Sequence, residues 1–272
     1  MYVPVTSKGP RLAATVRLPD NSGRQQGATV VFVHGVGCDR TQFVQQLEGL
    51  DPRLSLLTLD LPGHGESPEL EDGDYSINSM ADAIVSELSV RGHENSIIVG
   101  HSAGGLIALR IAVQTPELAS AVLALDTNIA LSGASLEANK ARAERAEQGN
   151  WRDCFMASME DAWGVDDGAA GSLRASVFHT LANTPERIAR PFWHDALTIN
   201  SEDLWRQCPV PSLYIQSKRE TDLARLRALN PLITAIDMRS CCVGHWLQMQ
   251  CPGPVNQALN EFLLNLEPSN DP

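Results

Sequence analysis

One pentapeptide constrains the fold of this chain more than any other segment, because Gly100-His101-Ser102-Ala103-Gly104 fits the pattern Gly-x-Ser-x-Gly. The residues before it, 96–99, read as a short buried strand, and residues 105–113 read as a helix. A sharp turn between the two needs small residues, since the elements pass close together and the backbone takes an unusual φ. Such a turn exposes a serine hydroxyl above a sheet, so the segment predicts that Ser102 is a nucleophile.

Strand and helix signals alternate along most of the chain, which predicts an α/β fold with a mostly parallel sheet and helices on both faces. Helices are predicted at residues 40–50, 79–90 and 254–266, besides the one after the pentapeptide. Strands are predicted at residues 11–18, 28–33, 54–59, 96–99, 121–125, 210–216 and 233–238.

The pattern changes between residues 127 and 207, where strand signals stop and four of the five tryptophans lie. A chain of 272 residues is long enough for one large domain with an insertion. We therefore predict an α/β core formed by residues 1–126 and 208–272, with a helical cap, or lid, inserted at 127–207.

Charge and cysteine content narrow the expected partners. The chain has 33 acidic and 21 basic residues, a formal net charge of −12, and such a protein repels nucleic acid and anionic membranes. No apolar run has the length of a membrane span, and the N-terminal residues lack the pattern of a secretory signal. The six cysteines lack metal-ligand spacing. We expect a cytoplasmic protein with reduced thiols, no metal, no cofactor and neither nucleic-acid nor membrane partner.

Four motifs in order resemble the α/β-hydrolase superfamily over nearly the whole chain. Val31-Phe32-Val33-His34-Gly35 is similar to the family's His-Gly oxyanion loop, and residues 60–67, Asp-Leu-Pro-Gly-His-Gly-Glu-Ser, are similar to its D-x-x-G-x-G-x-S turn. The pentapeptide resembles the nucleophile elbow, and Gly244-His245-Trp246 with the following helix resembles the histidine loop. The resemblance implies an eight-stranded sheet with helices on both faces and an inserted helical cap.

The chemistry of a serine nucleophile requires two kinds of assistance. A neighbouring base must accept the hydroxyl proton, and His245 is the best placed, since family members carry the catalytic histidine in this loop. Two backbone N–H groups must stabilise the oxyanion, and we expect these from Ala103 and Val36. His34 is expected to hold the second donor's loop and to border the substrate pocket.

The carboxylate that orients the base has more than one candidate. Most family members carry an Asp in a G-x-x-D segment after the seventh strand, but residues 216–220 here read Gln-Ser-Lys-Arg-Glu, with Glu220 in the Asp position. Some relatives place the acid after the sixth strand, where Asp126 follows strand 121–125. We favour Asp126, keep Glu220 as the alternative and rank Asp222 last. Lys218 and Arg219 beside Glu220 indicate a solvated, salt-bridged loop.

These assignments predict a serine hydrolase that cleaves a small carboxylic ester, with lactones or amides as variants, through an acyl-enzyme. Trp163 and Trp193 of the cap, together with Trp246, are expected to line the substrate pocket. A cofactor-free dioxygenase of heteroaromatic rings, in which a His–Asp pair deprotonates the substrate, and a C–C bond hydrolase are alternatives on the same fold. The intact Ser, His and oxyanion loop argue against a non-enzymatic binding protein. The oligomeric state stays open, and a homodimer is compatible with the sequence.

Overall fold

The computed structural model of the protein describes residues 11–20, 28–129, 133–164, 171–242 and 244–266. These residues contain seven strands: β1 (Ala14–Arg17), β2 (Val30–Val33), β3 (Leu56–Leu59), β4 (Ser96–His101), β5 (Ala119–Leu125), β6 (Ser212–Gln216) and β7 (Ile233–Asp237). They form one sheet in the order β1-β3-β2-β4-β5-β6-β7. Strand β1 runs antiparallel to β3, and every other neighbouring pair is parallel. The carboxyl ends of six parallel strands therefore meet at one edge.

The fold class agrees with the prediction, and the strand count differs from the one that the resemblance implies. Seven strands lie within the described residues, against an expected eight. Residues 1–10 and 21–27, on either side of β1, lie outside the described part of the chain. The strand at residues 121–125, which corresponds to the family's sixth, is β5 in the present numbering.

The helices cover both faces of the sheet. The predicted helix at 40–50 is divided into a 3-10 turn, Arg40–Phe43, and a short α-helix, because the Asp39 side chain accepts a hydrogen bond from Thr41 N–H at 2.8 Å and starts the tighter turn. The α-helices of the described residues are α1 (Val44–Gly49), α2 (Ile77–Arg91), α3 (Ala103–Gln114), α4 (Gly133–Gln148), α5 (Trp151–Trp163), α6 (Gly171–Asn183), α7 (Glu186–Thr198), α8 (Ser201–Gln207), α9 (Leu223–Leu229), α10 (Leu247–Gln250) and α11 (Pro252–Leu266).

Alternate residues of each central strand enter two different hydrophobic clusters. In β2, Val31 and Val33 pack with α2 and α3, whereas Val30 and Phe32 pack on the other face with α1 and α11. All four side chains are fully buried. A parallel sheet covered on both faces accounts for the continuous apolar runs that the strands show in sequence.

Five helices, α4 to α8, occupy the described part of the stretch between β5 and β6. This is the segment in which strand signals stop. Helix α7 packs against α4 and against α2 and α3 of the core, and α8 packs against α3 and α9. The insertion therefore lies on the face of the sheet that carries α3. Its separate identity as a lid stays a prediction. Among the described helices, none combines the length and apolar character that a membrane span requires.

Candidate active site

Ser102 lies at the apex of the turn between β4 and α3. Its backbone has φ 56° and ψ −122°, a strained conformation for a residue with a side chain. The Ser102 N–H donates to the carbonyl of Leu125 on the neighbouring strand at 2.9 Å, which fixes the turn against the sheet. A Cβ at Gly100 would collide with the carbonyl of Gly104, so the strand and helix can approach this closely only with glycine at that position.

His245 and Asp126 form a buried pair at the same edge of the sheet. His245 Nδ1 lies 2.7 Å from Asp126 Oδ2, the contact expected of a base and its orienting acid. The two side chains are 2% and 0% exposed. Asp126 directly follows β5 and has φ 45°, a left-handed conformation that aspartate tolerates better than most residues. Asp126 is therefore the carboxylate that the structure places on the imidazole, in agreement with the first choice from sequence.

The second oxygen of Asp126 is held by the loop after β6. Oδ1 accepts hydrogen bonds from the backbone N–H of Ser217 at 2.8 Å and of Arg219 at 3.1 Å. Arg219 Nε also donates to the backbone carbonyl of Asp126 at 3.1 Å. Each carboxylate oxygen thus has its own donors, and the carboxylate cannot rotate without breaking them.

Glu220, the alternative acid, does not contact the imidazole. Its side chain is 87% exposed and lies 3.5 Å from Arg239 Nη1. The chain turns at Ser217–Arg219 so that its backbone N–H groups donate to Asp126, and this turn directs the side chain of Glu220 outward. Asp222, the candidate ranked last, caps α9 by accepting from Arg225 N–H at 2.9 Å.

Three hydrogen bonds fix the histidine loop. The His245 N–H donates to the carbonyl of Ala162 at the end of α5, at 2.9 Å. The His245 carbonyl accepts from His101 Nε2 at 2.9 Å, and the two imidazole rings lie with centroids 4.6 Å apart. Ser217 Oγ donates to the carbonyl of Gly244 at 2.8 Å. The insertion, the elbow and the β6 loop all therefore position the base.

The electrostatics favour a neutral imidazole beside an ionised carboxylate. Burial lowers the pKa of His245 below its usual value of 6.5, although Asp126 partly opposes the shift. Burial works in the opposite sense on Asp126, but the hydrogen bond from His245 and the charge of Arg219 help to bring the pKa of Asp126 below its ordinary value. A neutral imidazole with a proton on Nδ1 has a free lone pair on Nε2, which is the form that accepts a proton.

His34 holds the oxyanion loop from behind. Its Nε2 accepts from Leu61 N–H at 2.9 Å, so Nδ1 carries the proton and donates to the carbonyl of Gly35 at 2.8 Å. Burial lowers the pKa of His34 to about 4, which keeps the ring neutral. A Cβ on Gly35 would lie 2.9 Å from Ser102 Cβ, so the loop passes directly against the elbow. His34 thus contacts this loop through hydrogen bonds, but it is fully buried and, contrary to expectation, is not part of the cavity wall.

A cavity opens beside Ser102 and His245. Val36 and Ala103, the two expected oxyanion donors, line it together with Trp193 and Trp246. Ala103 is the first residue of α3, and the first turn of a helix has no intrahelical acceptors for its N–H groups. Helix α3 also directs its positive end toward this point.

Trp163 does not line the cavity, contrary to the expectation from sequence. Its ring packs behind Trp246, with centroids 5.6 Å apart, and it is 2% exposed. Its carbonyl accepts from Gln250 Nε2 at 3.2 Å, which ties the end of α5 to α10. The helical period of α5 turns this tryptophan toward the histidine loop, so it supports the wall without forming it.

Two polar residues at the cavity were not predicted. Arg219 and Asn128 both line it, although the sequence indicated a solvated loop around Arg219. One feature of the sequence could have indicated a polar side chain at this position. If Asp126 supplies the acid, the loop after β6 does not have to supply it. That loop still begins at the same edge of the sheet, so it can place another polar side chain at the cavity. Among the described residues, no group of three His, Cys, Asp or Glu side chains is arranged to hold a metal ion.

Known proteins resemble this chain in sequence and in fold. The 2-(acetamidomethylene)succinate hydrolase of Mesorhizobium japonicum is 30% identical over 122 residues, which are 45% of this chain and 44% of that protein. The enol-lactonase from Burkholderia xenovorans superposes with a TM-score of 0.75 at 17% identity, covering 93% of this chain and 96% of the other. A thermophilic esterase from Thermogutta terrifontis superposes with a TM-score of 0.76 at 20% identity, covering 98% and 100%.

The extent of these similarities decides what they establish. The curated sequence relatives are matched over less than half of their own length, and the structural neighbours share only the fold at such low identity. The sequence profile described as the alpha/beta hydrolase family, in contrast, matches residues 30–258. That range includes the elbow, the buried His–Asp pair and the whole insertion. The chain belongs to the alpha/beta hydrolase family.

Proposed function

We propose that the protein is a serine hydrolase that cleaves a small carboxylic ester or lactone through an acyl-enzyme, with Ser102, His245 and Asp126 as its triad. The observation that carries this proposal is the buried 2.7 Å contact between His245 and Asp126, at the same cavity as a strained serine on a helix N-terminus. A binding protein has no need of a buried neutral base oriented by an ionised carboxylate.

In the first half of the reaction, Ser102 Oγ attacks the carbonyl carbon of the ester while His245 Nε2 accepts the hydroxyl proton. The carbonyl oxygen becomes an oxyanion, which the N–H groups of Val36 and Ala103 stabilise. The carbon–oxygen bond to the alcohol then breaks, and the departing oxygen takes the proton from His245. The products of this half are the free alcohol and an acyl ester on Ser102.

In the second half, a water molecule attacks the acyl carbon and gives a proton to His245 Nε2. The second tetrahedral intermediate uses the same two N–H donors. Its collapse breaks the bond to Ser102 Oγ, which regains the proton, and releases the carboxylic acid. Throughout, Asp126 keeps the proton of His245 on Nδ1 and stabilises the imidazolium that forms in each step.

The similar proteins support a hydrolase and agree with an ester or lactone substrate. Those named above comprise a hydrolase, an enol-lactonase and an esterase. An ester and a lactone require the same attack on a carbonyl carbon and differ only in whether the alcohol stays attached. The proposal therefore covers both.

Replacement of Ser102 tests the proposal. Ser102→Ala should lower kcat for 4-nitrophenyl butyrate by about a thousandfold or more, because triad members act as a unit. A fluorophosphonate should label the wild type and spare the variant. Ser120→Ala is the matched control, since Ser120 lies near the opposite end of β5 and, among the described residues, its hydroxyl donates only to backbone carbonyls, at 3.2 Å. Circular dichroism should show that both variants are folded.

The same experiment separates the alternatives. Near-native ester turnover by Ser102→Ala would refute the acyl-enzyme. An unlabelled wild type that consumes oxygen with a heteroaromatic substrate would favour the dioxygenase, in which the serine only positions the ring.

A further inference from the structure

Arg219 has hydrogen-bonding capacity that none of the described residues uses. Its backbone N–H and its Nε are both engaged by Asp126, which fixes the direction of the side chain. The side chain lines the same cavity as Ser102 and His245. Within the described residues, its terminal guanidinium nitrogens have no hydrogen-bond acceptor. A held guanidinium is thus presented beside the nucleophile.

A second guanidinium approaches from the insertion. Asn128, at the cavity wall, accepts a hydrogen bond through Oδ1 from Asn139 Nδ2 on α4 at 3.4 Å. Asn128 Nδ2 in turn donates to the carbonyl of Ala196 on α7 at 3.1 Å. Residues three apart on a helix share a face, so Arg142 lies on the same face of α4 as Asn139, which contacts Asn128.

Arg142 forms no ion pair with any of the described carboxylates. It is half-buried, and burial, followed by the nearby charge of Arg219, lowers the pKa of Arg142. Asp161 is the acid whose charge acts on Arg142, but its carboxylate pairs with Lys218 at 3.9 Å. The positive charges of the two arginines repel each other, and only Arg219 is part of the cavity wall. The carboxylates near the two cations, Asp126 and Asp161, already have other partners, which leaves the guanidinium of Arg219 available to an external anion.

We propose that Arg219 and Arg142 form an anion site next to Ser102, and that the substrate is an ester or lactone that carries a free carboxylate. This inference rests on the proposed function and names the substrate class of the same site. A planar carboxylate matches the fork of a guanidinium and can accept two parallel hydrogen bonds from it. Its charge also relieves the repulsion between the two arginines.

The cavity wall also contains apolar side chains, which can contact the uncharged part of a substrate. Met159, Trp193 and Leu197 contribute to the wall, so the carbon chain between the carboxylate and the scissile carbonyl can contact apolar surface. The net charge of −12 acts against an anionic substrate at long range. Any preference for an anion must therefore come from cations at the site itself.

The test compares esters that differ only in a terminal methyl or carboxylate group. One pair has the charge on the acyl side: mono-4-nitrophenyl glutarate against 4-nitrophenyl pentanoate. The other has it on the alcohol side: 4-butanoyloxybutanoate against butyl butanoate. In at least one pair, kcat/KM should favour the anion by about tenfold or more, the size expected of a charge-assisted hydrogen bond. Added salt should reduce this preference.

Substitution on α4 identifies the cation. Arg142→Gln should reduce the ratio of kcat/KM for the anionic and neutral esters by about fivefold or more, since a half-buried charge is removed. Arg145→Gln is the matched control, because Arg145 lies on the same helix with an exposed side chain and should leave the ratio unchanged. Thermal unfolding of both variants shows whether the helix is intact.

The outcomes separate this inference from the proposed function. If the neutral esters are cleaved through Ser102 but neither anion is preferred, the anion site is refuted and the serine hydrolase stands. If Arg142→Gln and Arg145→Gln change the ratio equally, the effect is one of net charge and the site is likewise refuted. If no ester is cleaved through Ser102, the proposed function itself fails.

Discussion

Replacing Asp126 by Asn tests the geometry of the triad more sharply than removing its side chain. The substitution keeps the size of the group but replaces one oxygen with an amino group. Oδ1 of Asp126 accepts two backbone hydrogen bonds, from Ser217 at 2.8 Å and Arg219 at 3.1 Å. An amino group at that position would face two donors, so the amide oxygen must stay there.

The amino group of Asn is then directed at His245 Nδ1. Because it can only donate, the imidazole must accept at Nδ1 and carry its proton on Nε2. That tautomer has no lone pair for the Ser102 proton. The expected cost is a fall in kcat of about ten-thousandfold, or about 5 kcal/mol of transition-state stabilisation. The fold should survive, since every backbone hydrogen bond to the side chain is kept.

The assay is the steady-state hydrolysis of 4-nitrophenyl butyrate, with unfolding measured in parallel. Glu220→Gln provides the matched control: it makes the same chemical change in a carboxylate that is 87% exposed, and kcat should stay near the wild-type value. A loss of less than tenfold in Asp126→Asn would refute the tautomer argument. An equal loss in Glu220→Gln would move the acid to the β6 loop.

Three further predictions concern the cavity wall, the layer behind it and the base. Trp193→Ala should raise kcat/KM for long acyl esters relative to an acetyl ester, and equal rate losses on all esters would contradict this. Trp163→Ala, behind the wall, should instead lower the free energy of unfolding by about 3 kcal/mol, and unchanged unfolding in urea would contradict that. The acid limb of kcat/KM should have its midpoint below pH 6.5, because burial lowers the pKa of His245 and the neutral ring is the active form; a pH profile with a midpoint above 6.5 would contradict this assignment.

The elbow and the buried pair were accessible from sequence because they depend on local chemistry. The small residues around Ser102 permit one kind of turn, and His245 follows the last strand of an alternating pattern. Asp126 was favoured over Glu220 because the segment after β6 lacks the usual glycine. In each case, a strand end identified a position at the edge of the sheet without knowledge of the packing.

The position of Trp163 and the role of Arg219 depend on packing. A tryptophan in an inserted helix is equally compatible with a cavity wall and with the layer behind it, and only the rotation of α5 decides. Arg219 was expected in solvent because its neighbours are charged. Its inward direction results from the hydrogen bonds that Asp126 accepts, a partner 93 residues away in sequence. Such contacts have no local signature.

The contact between His245 and Asp126 also has a consequence for the order of folding, because it joins residues 119 positions apart. During synthesis Ser102 and Asp126 leave the ribosome while His245 is still to be made. Contacts this distant in sequence form late, since a long loop must close first. Helices α10 and α11, which follow the base, pack against each other and against α1. Recovery of turnover after dilution from denaturant therefore reports the docking of residues 244–266, and it should lag behind signals from the central sheet.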